Sequence, residues 1–192
     1  MIENKTITPK TPNYITIRNA IISVFDRSDL DILLSGLVKY CPGIKIYAPK
    51  KTFGLIKSSR AIVHESPWPL ENLKESGSVD LVVMNISFTD SAIKAKAINF
   101  AKEDLMSNFD DLTILMKSSI DFKNIMIVTD RSYYDCLLLE LESHQGGVSL
   151  ESRQAAASRS FQALARYFDN LASYIVSKQA AFNDCDEIEN KT

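Results

Sequence analysis

Apolar residues in this chain fall into two alternating kinds of run. Five runs are short and rich in Val and Ile: 20–25, 44–48, 61–64, 79–86 and 124–129. Such runs, too short for most helices, predict strands buried in a sheet. Between them apolar positions recur at helical spacing. Leu30, Leu33, Leu34, Leu37 and Val38 form one stripe, and Asp26 or Ser28 stands where a side-chain oxygen caps it. Further helices are predicted over 52–59, 91–107 and 132–143, the last with Ser132 as its cap. A longer helix follows Ser149, its predicted cap, with Phe161, Leu164, Phe168, Leu171 and Ile175 repeating at spacings of 3, 4, 3 and 4. A seam of that kind packs on the chain's own sheet or on a second subunit. Strands alternating with helices predict an α/β domain of three layers, with a mostly parallel central sheet between helices. Ligands of such sheets bind beyond the carboxyl ends of the strands. That draws attention to the polar residues closing the first run and the 79–86 run.

Residues 1–17 are polar, contain Pro9 and Pro12, and read as a flexible N-terminal arm; 18–178 read as one domain and 179–192 as an acidic tail. A chain of 192 residues with 45% hydrophobic content suits a single core of ordinary size. Its 22 basic and 24 acidic residues give a formal charge of −2. That balance creates no overall field for nucleic acid or an acidic membrane surface, and neither partner is expected. Cys41, Cys136 and Cys185 are widely spaced, no CxxC pair occurs, and there are two histidines. The pattern predicts no disulfide framework, no metal site, no cofactor and a reducing, cytoplasmic compartment. No apolar run is long enough for a transmembrane helix.

Four stretches carry a family likeness. Ser23-Val24-Phe25-Asp26-Arg27 resembles a Ser-Val-Ser-Asp-Lys motif, and Val79-Asp80-Leu81-Val82-Val83-Met84-Asn85 resembles Ile-Asp-Leu-Val-Val-Val-Asn. The run from Ile125 to Asp135 resembles a strand followed by a Ser-Asp-Tyr-Asp helix start. Gly147 to Gln154 resembles a Leu-Thr-Leu-Glu-Thr-Arg helix opening. In this order they resemble the N-terminal, IMP cyclohydrolase domain of the bifunctional purine biosynthesis protein, over residues 18 to about 177. The resemblance implies a methylglyoxal-synthase-like fold. It also implies a purine nucleoside monophosphate ligand, and a reaction that closes a formylated aminoimidazole carboxamide ribonucleotide to inosine monophosphate. Carried over position by position, it implies that Arg27, Lys50, Lys51 and Thr52 hold the substrate phosphate while Asn85 and Asp110 orient the base as catalytic residues.

The same alignment exposes departures. Phe25 replaces a phosphate-binding serine, and Lys50 and Lys51 stand where the family has glycines that admit a phosphate to backbone N–H groups. A basic segment with a lysine proposed as catalytic has no counterpart between Pro69 and Val79, where Ser66-Pro67-Trp68-Pro69 reads as a rigid connector. Ser87 replaces a tyrosine. Ser118-Ser119-Ile120-Asp121 replaces a motif with a second lysine, and Lys117 lies beside it. Each candidate also has a plainer reading. Lys50-Lys51 reads as a solvated turn, Arg27 as a loop residue, Asp110 as a helix cap and Asn85 as the brace of a turn. His64 and His144 read as packed or turn residues. Whether the chain is an enzyme stays open. One reading is an IMP cyclohydrolase-like protein of purine biosynthesis with a degenerate active site. The other is a catalytically silent nucleotide-binding or structural relative, acting as a homodimer or with a hetero-partner through the 150–177 helix.

Overall fold

The computed structural model describes residues 13–57, 60–65, 79–86 and 109–189, with side chains along the last helix described to residue 173 and at 176. The predicted helix over 91–107 and the 66–69 connector lie outside the described residues. Seven strands are described: β1 (Tyr14–Thr16), β2 (Asn19–Val24), β3 (Lys45–Ala48), β4 (Ile62–Glu65), β5 (Leu81–Asn85), β6 (Met126–Val128) and β7 (Gly147–Ser149). The helices are α1 (Leu30–Tyr40), α2 (Lys50–Ile56), α3 (Phe109–Ile120), α4 (Tyr134–Ser143) and α5 (Leu150–Glu189), with a 3-10 turn at Arg131–Tyr133.

The central sheet has the order β4-β3-β2-β5-β6, and every pairing in it is parallel. The first of its strands, β2, lies in the middle. The chain winds outward from it through β3 and β4, then returns to its other side for β5 and β6. Both faces of the sheet are covered. Ala20, Ile22, Val24, Leu81, Val83, Met126 and Val128 point to a core built with α1, α2 and α4. Their sequence neighbours Ile21, Val82, Met84 and Ile127 point to a second core built with α3 and α5. Period-two side-chain direction plus two apolar layers explains why these strands read as unbroken apolar runs. The expected three-layer α/β architecture is therefore present.

Several local expectations change. The predicted arm boundary at residue 18 falls inside the fold. Tyr14–Thr16 pairs antiparallel with β7, and Ile17 is buried in the core. A three-residue strand this close to two prolines gives no periodic signal, and its pairing is supplied by a segment 130 residues away. Neither Asp26 nor Ser28 caps α1. The position before that helix is Asp29, at φ 60°, and it makes no side-chain cap bond. Ser132 does not cap α4; Asp130 caps the preceding 3-10 turn by accepting from Ser132 N at 2.8 Å. Ser149 does cap α5, accepting from Ser152 N at 3.1 Å.

The seam on α5 divides. Leu164 is buried and Leu171 packs against the second core, but Phe161 and Phe168 are exposed. The buried stripe runs through Ala157, Ser160, Leu164 and Tyr167, where small residues let α5 approach α3. Ser119 of α3 lies 2.7 Å from Ser160 across that contact, hydroxyl to hydroxyl. Backbone helicity continues to Glu189, past the predicted start of the acidic tail at 179.

Candidate functional site

The winding reverses between β2 and β5. There α1, which follows β2, packs on one face of the sheet and α3, which comes between β5 and β6, packs on the other; open α/β sheets take their ligands beyond the strand ends at such a reversal. The two strands pair to their last residues, with Val24 opposite Asn85. Beyond Val24 the chain forms the loop 25–29 before α1.

That loop is tied down from several sides. Asn85 Oδ1 accepts from Phe25 N at 2.5 Å and from Asp26 N at 3.1 Å, while its Nδ2 donates to Asp26 O at 2.8 Å. Within the loop Asp26 Oδ1 accepts from Ser28 N at 2.9 Å. The Ser28 backbone bond, and then the Ser28 side chain, hold the Asp26 carboxyl below its usual value. Arg131, after β6, donates to Asp29 at 3.3 Å and lies 3.9 Å from Asp26. From the other side, Thr52 in the first turn of α2 accepts from Val24 N at 3.4 Å, with the residue only 2% exposed.

The structure thus brings most of the sequence candidates to one place. Asn85 and Thr52 both touch the end of β2. Lys50 and Lys51 precede Thr52 at the start of α2, Arg27 follows Asp26, and all three cations are exposed. Among the described residues those cations make no ion pair. Asp110 sits in the first turn of α3, and Lys117 in its last turn, seven residues or about 10 Å further along the axis. Neither shares a hydrogen bond with the β2 loop. The described roles of Asn85 and Thr52 are those of braces. His64 stacks on Tyr47 with ring centroids 5.3 Å apart, and the Nδ1 of His144 lies 3.0 Å from Glu140 O at the end of α4. Both histidines therefore have structural surroundings. Among the described residues no group of His, Cys, Asp and Glu could hold a metal ion, and no helix is long and apolar enough to cross a membrane.

Sequence reasoning missed the residues that anchor the strand and loop of the site. Asp80 accepts from Arg18 N and Asn19 N at 2.9 Å each, so it grips the start of β2 as Asn85 grips its end. Both belong to one quoted motif, five positions apart, and β5 spans that interval. Arg131 and Tyr134 were also overlooked. The Tyr134 hydroxyl is buried and has no hydrogen-bond partner among the described residues. Burial first, then the charges of Asp26, Asp130 and Asp29, push its pKa up to about 12. Burial likewise pushes the Cys41 thiol up to about 11.

These two groups make an alkaline prediction. Between pH 9 and 11 the folded chain keeps a proton on Cys41 that the unfolded chain releases, so stability falls as pH rises through that window. Tyr134 extends the fall from pH 10 to 12. Below pH 9 both groups are protonated in both states and add no slope. Cys41→Ala is expected to flatten the lower part of a plot of urea midpoint against pH. An undiminished slope in the variant would assign the alkaline loss elsewhere.

Comparison with known proteins follows the same line. A family model described as the AICARFT/IMPCHase bienzyme matches residues 118–192. The bifunctional purine biosynthesis protein PurH of Chlorobium phaeobacteroides is 28% identical over 140 residues, covering 71% of this chain and 26% of that protein. PurH of a Nostoc species is 33% identical over 101 residues, 53% of this chain and 20% of its own length. PurH of Lactobacillus acidophilus is 26% identical over 169 residues, 87% of this chain and 30% of its own. The chain therefore spans between a fifth and a third of these relatives. A crystal structure of ForH superposes with a TM-score of 0.61 at 16% identity, over 84% of this chain and all of that one. At that identity the likeness is one of fold, and the fold is methylglyoxal-synthase-like. The chain resembles the IMP cyclohydrolase domain of PurH.

Proposed function

We propose that this chain is an IMP cyclohydrolase-like protein that binds a purine nucleoside monophosphate at the carboxyl ends of β2 and β5 but closes the ring slowly or not at all. The observation that carries this reading is the use of Asn85. Its oxygen already accepts two backbone N–H groups and its nitrogen already donates to Asp26 O, so it acts as a loop brace. Three exposed cations beside that brace, Arg27, Lys50 and Lys51, supply charge for a phosphate. Thr52 stands with them, its side chain directed at Val24 N. Ring closure asks for more: groups that polarise the formamide and move protons at the reacting atoms. Several of the residues by which the resemblance would supply them are replaced, and losing such groups together costs many orders of magnitude in rate. The exposed Phe161 and Phe168 on α5 add an apolar face that suits a second copy or a hetero-partner.

Calorimetric titration with inosine monophosphate, run beside a cyclisation assay on the formylated intermediate, tests the reading. Binding is expected, weakened about tenfold by Arg27→Ala and again by the Lys50→Ala/Lys51→Ala pair, since a charge-assisted hydrogen bond is worth about 1.5–3 kcal/mol. Cyclisation is expected near the uncatalysed rate. The similarity to PurH favours a second reading, a working cyclohydrolase, and brisk turnover would establish that one instead.

A further inference from the structure

Among the described large hydrophobic side chains Phe25 is the most exposed, at 71%. It is also the first residue beyond the carboxyl end of β2, at the point where the winding reverses. Exposed apolar residues scattered over a surface need no explanation, but this one combines three features. Its backbone is fixed: Asn85 accepts its N–H, and the next residue is held by Asn85 and linked to Arg131. Its ring therefore projects from a stiff loop. It stands two residues from Arg27 and directly after the strand whose last N–H is held by Thr52 in the turn begun by Lys50 and Lys51. An aromatic face beside cations matches a ligand that is flat and apolar at one end and anionic at the other.

We propose that Phe25 is a stacking platform for the heterocycle of the bound nucleotide and that it makes the site select a nucleoside monophosphate over a bare sugar phosphate. The proposal rests on the ligand reading given above and adds the element that reads the base. Phosphate contact by Arg27 and the lysines is blind to the base. A π-face held in place favours any ligand with a ring to lay on it, because the ordering cost is already met by the loop. The same side chain gives no hydrogen-bond donor for a phosphate, so the position changes from gripping an anion to gripping a ring. Selection is then expected for ring size and planarity, with little discrimination among purines.

The test compares inosine monophosphate with ribose 5-phosphate on four proteins: wild type, Phe25→Ala, Phe25→Leu and Phe25→Trp. The exposed side chain leaves the fold untouched, and any of these residues keeps the N–H that Asn85 accepts. Wild type is expected to bind the nucleotide at least tenfold more tightly than ribose 5-phosphate. Phe25→Ala is expected to lose about tenfold for the nucleotide and nothing for ribose 5-phosphate. Phe25→Trp is expected to restore the nucleotide affinity, whereas Phe25→Leu, apolar but not flat, is not. If both ligands bind and Phe25→Ala affects them equally or not at all, the platform is wrong and the phosphate site stands. If neither ligand binds at millimolar concentration, both the platform and the ligand reading fall.

Discussion

Replacing Arg153 by methionine is expected to lower the unfolding free energy by about 3–5 kcal/mol, enough to remove a third or more of a typical domain's stability. Arg153 is fully buried, with 0% of its surface exposed. Its Nη1 donates to Val148 O at 2.6 Å, its Nε to Phe122 O at 3.1 Å and its Nη2 to Lys123 O at 3.0 Å. One guanidinium thus joins the first turn of α5 to β7 and to the turn between α3 and β6. Burial pulls its pKa down from the usual value while Glu140 opposes the shift, and an arginine stays charged under such conditions. Methionine fills similar volume but gives those carbonyls nothing, and each buried acceptor left alone costs about 1–3 kcal/mol. Lysine carries its three N–H donors on one nitrogen and cannot reach the three carbonyls that Nε, Nη1 and Nη2 meet separately, so Arg153→Lys is expected to rescue only part of the loss. Urea denaturation reads the effect as a midpoint lowered by about 2 M for a slope near 2 kcal/mol/M. A methionine variant within 1 kcal/mol of wild type would remove Arg153 from this role.

The second large effect is expected at Gly146, where alanine should cost about 3 kcal/mol or more from left-handed strain and overpacking combined. Gly146 has φ +84°, and a Cβ there would lie 2.7 Å from the carbonyl oxygen of Tyr40. A backbone oxygen at the end of α1 cannot rotate aside as a side-chain tip can. The same residue donates to Leu141 O at 2.8 Å and accepts from Ile17 N at 2.9 Å, so it cannot move either. It sits where the ends of α1 and α4 meet the β1–β7 pair. Gly43 is the matched control: φ is +78°, but nothing lies within 4 Å of its would-be Cβ. Gly43→Ala is expected to show the conformational cost alone, about 1 kcal/mol. The difference between the two variants in thermal unfolding measures the clash. Equal losses would mean that Tyr40 yields.

The family-like motifs prove to be mostly architectural where the structure describes them. Asp80 and Asn85 grip the two ends of β2, Ser149 caps α5, and Arg153 ties the helix opening to its surroundings. These residues were quoted from the sequence for their resemblance, and only the coordinates give them their tasks. Asn85 illustrates the point: the sequence left it between orienting a base and bracing a turn, and its three short contacts are those of a brace. Thr52, far along the chain from Asn85, meets it at the carboxyl end of β2, with Lys50 and Lys51 before it in α2 and Arg27 in the loop that Asn85 braces. Asp110 stands in the first turn of α3, a helix that the apolar pattern did not predict. Leu112, Ile114 and Leu115 carry that helix's buried face, a signal that was short and flanked by polar residues.

The amino-acid order by itself determined the five strands of the central sheet, the three layers and the parallel pairing, because these follow from local periodicity: side chains that alternate faces, and apolar runs that only a two-sided burial can satisfy. It did not determine which face of α5 is buried, that β1 belongs to the fold, or what Asn85, Asp80 and Arg153 hold. Those depend on groups 30 to 130 residues apart meeting in space, and hydrogen bonds between such groups leave no periodic trace. The exposure of Phe25 is of the same kind. An aromatic residue at a strand end reads as core until the surrounding chain is seen to leave its ring in solvent.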